Sequence, residues 1–600
     1  MSFFKSYFAS LLAIITSGCL MFFLFFAGMF ALVGVFADAA TEFSMGKKEV
    51  VVDDNSLLQI TLEGMMSEQP KEEMSGVIFG ERQLSISLQE IVSAIRNAAK
   101  DERIKGIYLK TGVCDASYAT LEEIRKELVD FRSTGKFVVS YSGDYTQGAY
   151  YLASVADEVC LNPFGMLDLK GVSSSSMFYK NLFDTLGVEM QVIKVGTYKS
   201  FTEQYTNDSM SAENREQVSH MVNTLWNSIK SEISKSKNLS EEEIDSLSTQ
   251  MLAFQSAQKV LEAGLVDKLC YADEIVSILS NRLGVDESLL QSKLISVKDY
   301  VANMSTDVEE VLQSAVKPKI AVLYADGEID NGGVSGITSS KIVKQLNEFR
   351  KDNNIFAVVL RVNSPGGSAY GAEQMWRAVE RLKEKMPVIV SMGDYAASGG
   401  YYMSAGANRI FADEKTITGS IGVFSVIPNV KELTDKLGVS YEVVSTNDKD
   451  NTLTLLRPLS PVEKQVMQTH VNEVYETFLK RCMDGRKMSR EAIEEVAEGR
   501  VWCGADALSI GLVDEIGTLQ DAIEYAAKLT KVEDNYGVDY YPRPKNVWEQ
   551  WMEITDASYE KIKEEKFPLQ YHLEKKTEFL NKVRRVDRVQ AILPYQIEPR

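Results

Sequence analysis

Val388-Ile389-Val390-Ser391-Met392-Gly393-Asp394-Tyr395-Ala396-Ala397-Ser398-Gly399-Gly400-Tyr401-Tyr402-Met403-Ser404-Ala405-Gly406 joins an apolar run, a turn of small residues and a second apolar stretch. The run Val388-Ile389-Val390 reads as a buried strand, and the residues after Ser398 read as a helix. Ser398 falls at the start of that helix. There the amides of Gly399 and Gly400 lack intrahelical partners, and the positive end of the helix dipole lies beneath an exposed hydroxyl. Two readings are open. Small residues let a strand and a helix pack closely through a tight turn, or the turn raises a serine nucleophile on a G-x-S-x-G-like elbow.

The same pattern occurs earlier in the chain. Gly143-Asp144-Tyr145 matches Gly393-Asp394-Tyr395 at an offset of 250 residues (393 − 143), and Tyr150-Tyr151-Leu152 matches Tyr401-Tyr402-Met403 at 251 (401 − 150). The first copy is one residue short where the second carries Ser398. Leu186-Gly187-Val188 and Gly264-Leu265-Val266-Asp267 recur as Leu437-Gly438-Val439 and Gly511-Leu512-Val513-Asp514. Such self-similarity marks a duplicated unit. In each copy a strand (106–109, 357–360) precedes an amphipathic helix (121–131, 373–382) and a further strand (137–139, 388–390). That alternation predicts βαβ units and an α/β layered fold.

Outside the repeats, residues 6–37 carry no charge, and Leu20–Phe36 is apolar apart from glycines. That run is long enough to span about 30 Å of hydrocarbon and too uninterrupted for a cleaved signal peptide. Lys5 precedes it; Asp38 and Glu42 follow, then Lys47 and Lys48. The balance predicts the N-terminus in the cytoplasm and the large domain outside. The expected organisation is 1–45 as stub and transmembrane helix, 46–280 as first α/β repeat and 281–316 as connection. A second α/β repeat over 317–535 and a tail over 536–600 complete it.

With 65 basic and 85 acidic residues the net charge is −20. A nucleic-acid partner is not expected, because phosphate binding needs a basic excess. The six cysteines (19, 114, 160, 270, 482, 503) form no C-x-x-C pair. They read as buried small hydrophobes, with a Cys114–Cys160 bridge left open. Neither a metal nor a cofactor is expected. Only three histidines occur (220, 470, 572), with His220 and His470 among charged residues on helix-like stretches. A Ser-His-Asp triad is therefore not expected, and a nucleophilic serine needs another base.

The second copy carries Arg361-Val362-Asn363-Ser364-Pro365-Gly366-Gly367-Ser368 after its strand; the first reads Thr111-Gly112-Val113-Cys114-Asp115-Ala116 there. Paired glycines turn backbone amides toward a ligand, as a developing oxyanion requires, though Pro-Gly-Gly also makes plain turns. The first copy alone carries Gly196-Thr197-Tyr198-Lys199-Ser200 after a strand; at the 251 offset Lys199 falls on Asp450. A lone lysine is ordinarily a solvated surface residue, but the lack of a suitable histidine singles out Lys199.

These motifs, with Thr418-Gly419-Ser420-Ile421-Gly422 and the apolar N-terminal run, make the chain resemble the signal peptide peptidase A (protease IV) family in its long, duplicated form. The resemblance covers nearly the whole chain. It implies two Clp protease/crotonase-like domains after one transmembrane helix, with Ser398 as nucleophile and Lys199 as general base. A lysine acts as base only when neutral, so burial must bring its pKa down from about 10.4. Ser420 is the candidate hydroxyl that orients the amine. Gly367 and Gly399 are chosen for the oxyanion hole, with Gly366 close behind Gly367. The resemblance further implies peptide substrates, chiefly cleaved signal peptides, and a homo-oligomer such as a tetramer. It implies a single-pass protein of the bacterial inner membrane with its catalytic domain on the periplasmic side. Two rivals remain: a crotonase-fold enzyme of acyl thioesters, which an outward-facing domain disfavours, and a non-catalytic membrane scaffold.

Overall fold

The computed structural model describes residues 52–70, 85–304, 317–330, 336–444, 446–447, 453–543 and 589–592. The expected N-terminal span, Asp450 and most of the tail lie outside them. Among the described residues no helix is long and apolar enough to cross a membrane.

Two sheets, of seven and eight strands, share a run of six parallel strands in the same order. The first runs Leu294–Ser296, Ser56–Ser67, Ile104–Asp115, Phe137–Ser142, Glu158–Leu161, Lys268–Leu269. The second runs Gly537–Tyr541, Lys319–Asp326, Ile355–Ser364, Val388–Ala397, Arg409–Ala412, Glu515–Ile516. Parallel sheets are covered on both faces, so their strands are apolar without alternation. Accordingly, Val358 and Leu360 enter one apolar cluster, while Ala357 and Val359 enter another beneath the helix Leu519–Leu529.

The expected helices are longer than their apolar cores, spanning Tyr118–Ser133 and Ala369–Lys383. The latter starts where Ser368 Oγ accepts the amide of Gly371 at 2.9 Å. Both outer strands fall beyond the expected repeat ends. Leu294–Ser296 pairs with Ser56–Ser67, and Val297–Met304 buries Tyr300 in the first core, so the first unit extends past 280. Gly537–Tyr541 pairs with Lys319–Asp326, so the second extends past 535. Their edge positions leave short runs with little periodicity. The described cysteines are all free thiols, Cys114 and Cys160 among them.

Each copy also has a 26-residue helix, Ala212–Lys237 and Pro461–Arg486, opened by a serine cap (Ser211, Ser460). Both end on a left-handed residue, Asn238 and Lys487.

The two units are interleaved rather than merely adjacent. Glu189–Val195, from the first copy, pairs antiparallel with Val423–Asn429 of the second, Val195 opposite Val423. The first copy's long helix buries Val218, Met221 and Leu225 against Ala397, Ile417, Val501 and Cys503 of the second. Burying each such side chain stabilises by roughly 1.5–3 kcal/mol. A buried ionic seam joins the units elsewhere. Arg361 holds Glu68 at 2.9 Å and Glu123 at 2.6 Å, and Asp394 accepts from Thr120 Oγ1 at 2.7 Å. Burial pushes the Glu68 carboxyl up from 4.5 to about 7, against the pull of Arg361 and aided by Glu123.

Candidate active site

The strand Val388–Ala397 delivers Ser398 to the N-terminus of Gly399–Ser404. Ser398 adopts φ 56° and ψ −113°, a sparsely populated conformation for a residue with a side chain, and its hydroxyl makes no capping bond. The strain is held by main-chain bonds on both sides. Ser398 N donates to Gly419 O at 2.8 Å, and Tyr402 N donates to Ser398 O at 2.8 Å. The serine is fully buried, not exposed as its turn suggested, because the first copy closes over it.

The closing element is the segment after Glu189–Val195. It carries Lys199 across the boundary between the copies, and Lys199 Nζ lies 2.7 Å from Ser398 Oγ. The amine also lies 3.0 Å from Ser420 Oγ and 3.1 Å from Ser420 O. Lys199, Ser398 and Ser420 all have zero exposure. Burial holds the Lys199 amine well below its ordinary 10.5, with no neighbouring charge contributing. Ser420 therefore stands at the amine with two acceptors. Its carbonyl was not anticipated, since sequence carries no sign of where a main-chain oxygen points.

The glycines lie beside this pair. Gly366 and Gly367 have φ of 108° and 144°, and a side chain on Gly367 would sit 2.4 Å from Ile329 O. Gly366–Ser368 forms a strip that pairs antiparallel with Gln590–Ile592, Gly367 opposite Ala591. A side chain on Gly366 would lie 2.0 Å from the carbonyl oxygen of Ala591 and 2.9 Å from Gly399 N. Gly366 and Gly399 are thus brought together, with a peptide carbonyl between them. The strand 590–592 comes from the tail, where three residues are too short a run to read as a strand from sequence.

Neither described histidine enters the site. His220 is exposed and meets Asp506 at 3.0 Å, and His470 is exposed on its helix. Among the described residues no group of acidic, histidine or cysteine side chains could hold a metal ion.

The model of peptidase family S49 matches residues 130–286 and 380–533. Protease 4 of Haemophilus influenzae is 34% identical over 510 residues, 81% of each chain. The chloroplastic serine protease SPPA of Arabidopsis thaliana is 31% identical over 80% of this chain and 70% of its own. A solved structure, a point mutant of ClpP1 from Listeria monocytogenes, aligns with a TM-score of 0.24 at 15% identity, over 34% of this chain and 94% of its own. The two matched regions fall one in each α/β unit, and the chain belongs to peptidase family S49 and is a serine endopeptidase.

Proposed function

We propose that Ser398 is the nucleophile and Lys199 the general base of a membrane-anchored endopeptidase. Its substrates are apolar peptides at the membrane, cleaved signal peptides first among them. The observation that carries this reading is the 2.7 Å approach of a fully buried lysine amine to Ser398 Oγ. A neutral amine has two N–H donors and one lone pair. With the donors on Ser420 O and Oγ, the lone pair faces the Ser398 hydroxyl and takes its proton. Oγ then attacks the scissile carbonyl. The oxyanion is received by amides of the Gly366-Gly367 strip and Gly399. The protonated lysine returns its proton to the leaving amine, and water releases the acyl group by the same route.

An extended segment already seats on Gly366–Ser368 through main-chain pairing, the shape in which a peptide substrate would lie. Anchoring rests on the apolar run Leu20–Phe36, with the catalytic units on the outer side of a bacterial inner membrane. Assembly into a homo-oligomer, such as a tetramer, belongs to the same reading.

The test combines fluorophosphonate labelling with peptide hydrolysis across pH. Because burial depresses Lys199, kcat/KM should rise through an apparent pKa well below 10. Labelling should map to Ser398 and vanish in Lys199→Ala. Labelling elsewhere, or activity that rises only near the pKa of free lysine, rejects the assignment. Full-length protein in the membrane fraction is expected; a soluble chain starting near residue 39 rejects the anchor.

A further inference from the structure

The lysine is brought to the serine by a loop, and loops do not hold an atom to a few tenths of an ångström unaided. Most of what holds this one belongs to the other copy. Tyr198 N donates to Glu498 O at 2.9 Å. The Glu498 carboxylate accepts from Thr197 N at 2.9 Å and from Thr197 Oγ1 at 3.2 Å. Gly499 N donates to Ile421 O at 2.8 Å, next to Ser420, whose N donates to Arg500 O at 2.7 Å. Gln217 completes the grip. Its Nε2 donates to Tyr198 O at 3.0 Å, and its Oε1 accepts from Val501 N at 3.2 Å. Residues 498–501 therefore touch both the segment bearing Lys199 and the turn bearing Ser420.

Gly499 is where the contact is tightest. With φ 78°, a side chain there would lie 2.6 Å from both Lys199 N and Lys199 Cβ. Glu498 before it is itself left-handed, at φ 57°. The first copy keeps this turn but not its opening. At the offset of the Gly264/Gly511 motif, 247 residues (511 − 264), Glu498 corresponds to Met251, also left-handed at φ 50°. Gly499 corresponds to Leu252, whose side chain fills the first core. The copy that receives the lysine has a gap in this turn, and the copy that donates it has filled the same gap.

We infer that the turn Glu498–Gly499 is a positioning element for Lys199, seating its backbone so that the amine meets Ser398 and Ser420 together. This rests on the Ser398–Lys199 reading, and the experiment separates the two. Gly499→Ala, Glu498→Ala, Glu498→Gln and Lys199→Ala are prepared as full-length protein and assayed on a fluorogenic peptide from pH 6 to 10, with melting midpoints measured alongside. In Gly499→Ala, kcat should fall on the order of 10²-fold while KM changes little, because displacement of a reacting group by about 1 Å has that effect. The alkaline-rising limb should move upward, since a displaced amine is wetter and holds its proton longer. Glu498→Ala should lose on the order of 10-fold with the same upward movement. Glu498→Gln, whose amide oxygen still accepts from Thr197, should recover most of that loss. If Gly499→Ala does not fold, the Glu498 pair decides. Wild-type kcat and an unmoved limb in folded Gly499→Ala, or in Glu498→Ala where the glycine variant is lost, overturn the positioning role. Activity in Lys199→Ala overturns the dyad itself, whereas inactive Lys199→Ala beside unaffected turn variants overturns the positioning role alone.

Discussion

The same strand-to-helix step is built twice in this chain, once relaxed and once strained. In the first copy Thr146 opens the helix Gln147–Ala153 at φ −68° and ψ 160°, and its hydroxyl caps the amide of Ala149. In the second, the extra residue leaves Ser398 at φ 56° and ψ −113° with its hydroxyl withdrawn from capping. Behind the first turn, Gln147 fills the space, donating to Tyr118 Oη and Gly171 O and accepting from Lys170 N and Gly171 N. Behind the second stands a lysine from the other copy. Strain of this kind costs on the order of 1–3 kcal/mol and persists only where its surroundings impose it. One inserted residue thus separates a turn that only holds the fold from one that presents a hydroxyl to an amine.

The largest effect should come from removing either half of the strained turn's pair. Ser398→Ala and Lys199→Ala should each reduce peptide hydrolysis by on the order of 10⁴–10⁶, and the double variant should be no worse, because the two act as one unit. Lys199→Arg should fail equally, since a guanidinium does not deprotonate. Residual activity that falls further in the double variant, measured as kcat/KM, would break the pairing.

Next is Gly367→Ala, with no counterpart in the relaxed copy. Alanine keeps the amide but its Cβ displaces it, and misplacing one donor of the proposed oxyanion hole should lower kcat by up to the order of 10²–10³-fold. The added Cβ has no room beside Ile329, so the melting midpoint should fall as well. Unchanged kcat would reduce the strip to a turn.

A smaller effect is expected at the seam that ties the two copies. Glu68 keeps its proton to about pH 7 when folded, against an ordinary 4.5. Its stabilising contribution is therefore complete below 4.5 and is lost as pH rises through about 7. The melting midpoint should drop between pH 5 and 8, and Glu68→Gln should flatten that drop by on the order of 4 °C. An identical pH slope in both proteins would exclude Glu68 as its origin.

The smallest effect tests the relaxed turn directly. Thr146→Ala loses an N-cap, about 1 kcal/mol, and should lower the melting midpoint by a few degrees without changing kcat. A change in kcat would mean that the first copy's turn also serves the chemistry.

By itself the sequence determined the duplication, the α/β class and the strand-to-helix turn at Ser398; that the turn is strained came from the structure. All three follow from local order: apolar runs such as 357–360 and 388–390, the repeated Gly-Asp-Tyr, and one inserted serine among small residues. It also disfavoured a histidine base, because only three histidines exist and none adjoins the serine motif; Lys199 as the base is what the family resemblance implies. Only tertiary structure decided what meets across the copies. The antiparallel pairing of Glu189–Val195 with Val423–Asn429 sets the distance between residues 199 positions apart in the chain. The outer strands 294–296 and 537–541, the tail strand 590–592 and the turn at Glu498 were illegible because each is short and takes its shape from a partner elsewhere in the chain. Periodicity records which face of an element is buried; it does not record which distant element buries it, and the position of the lysine depends on that second fact.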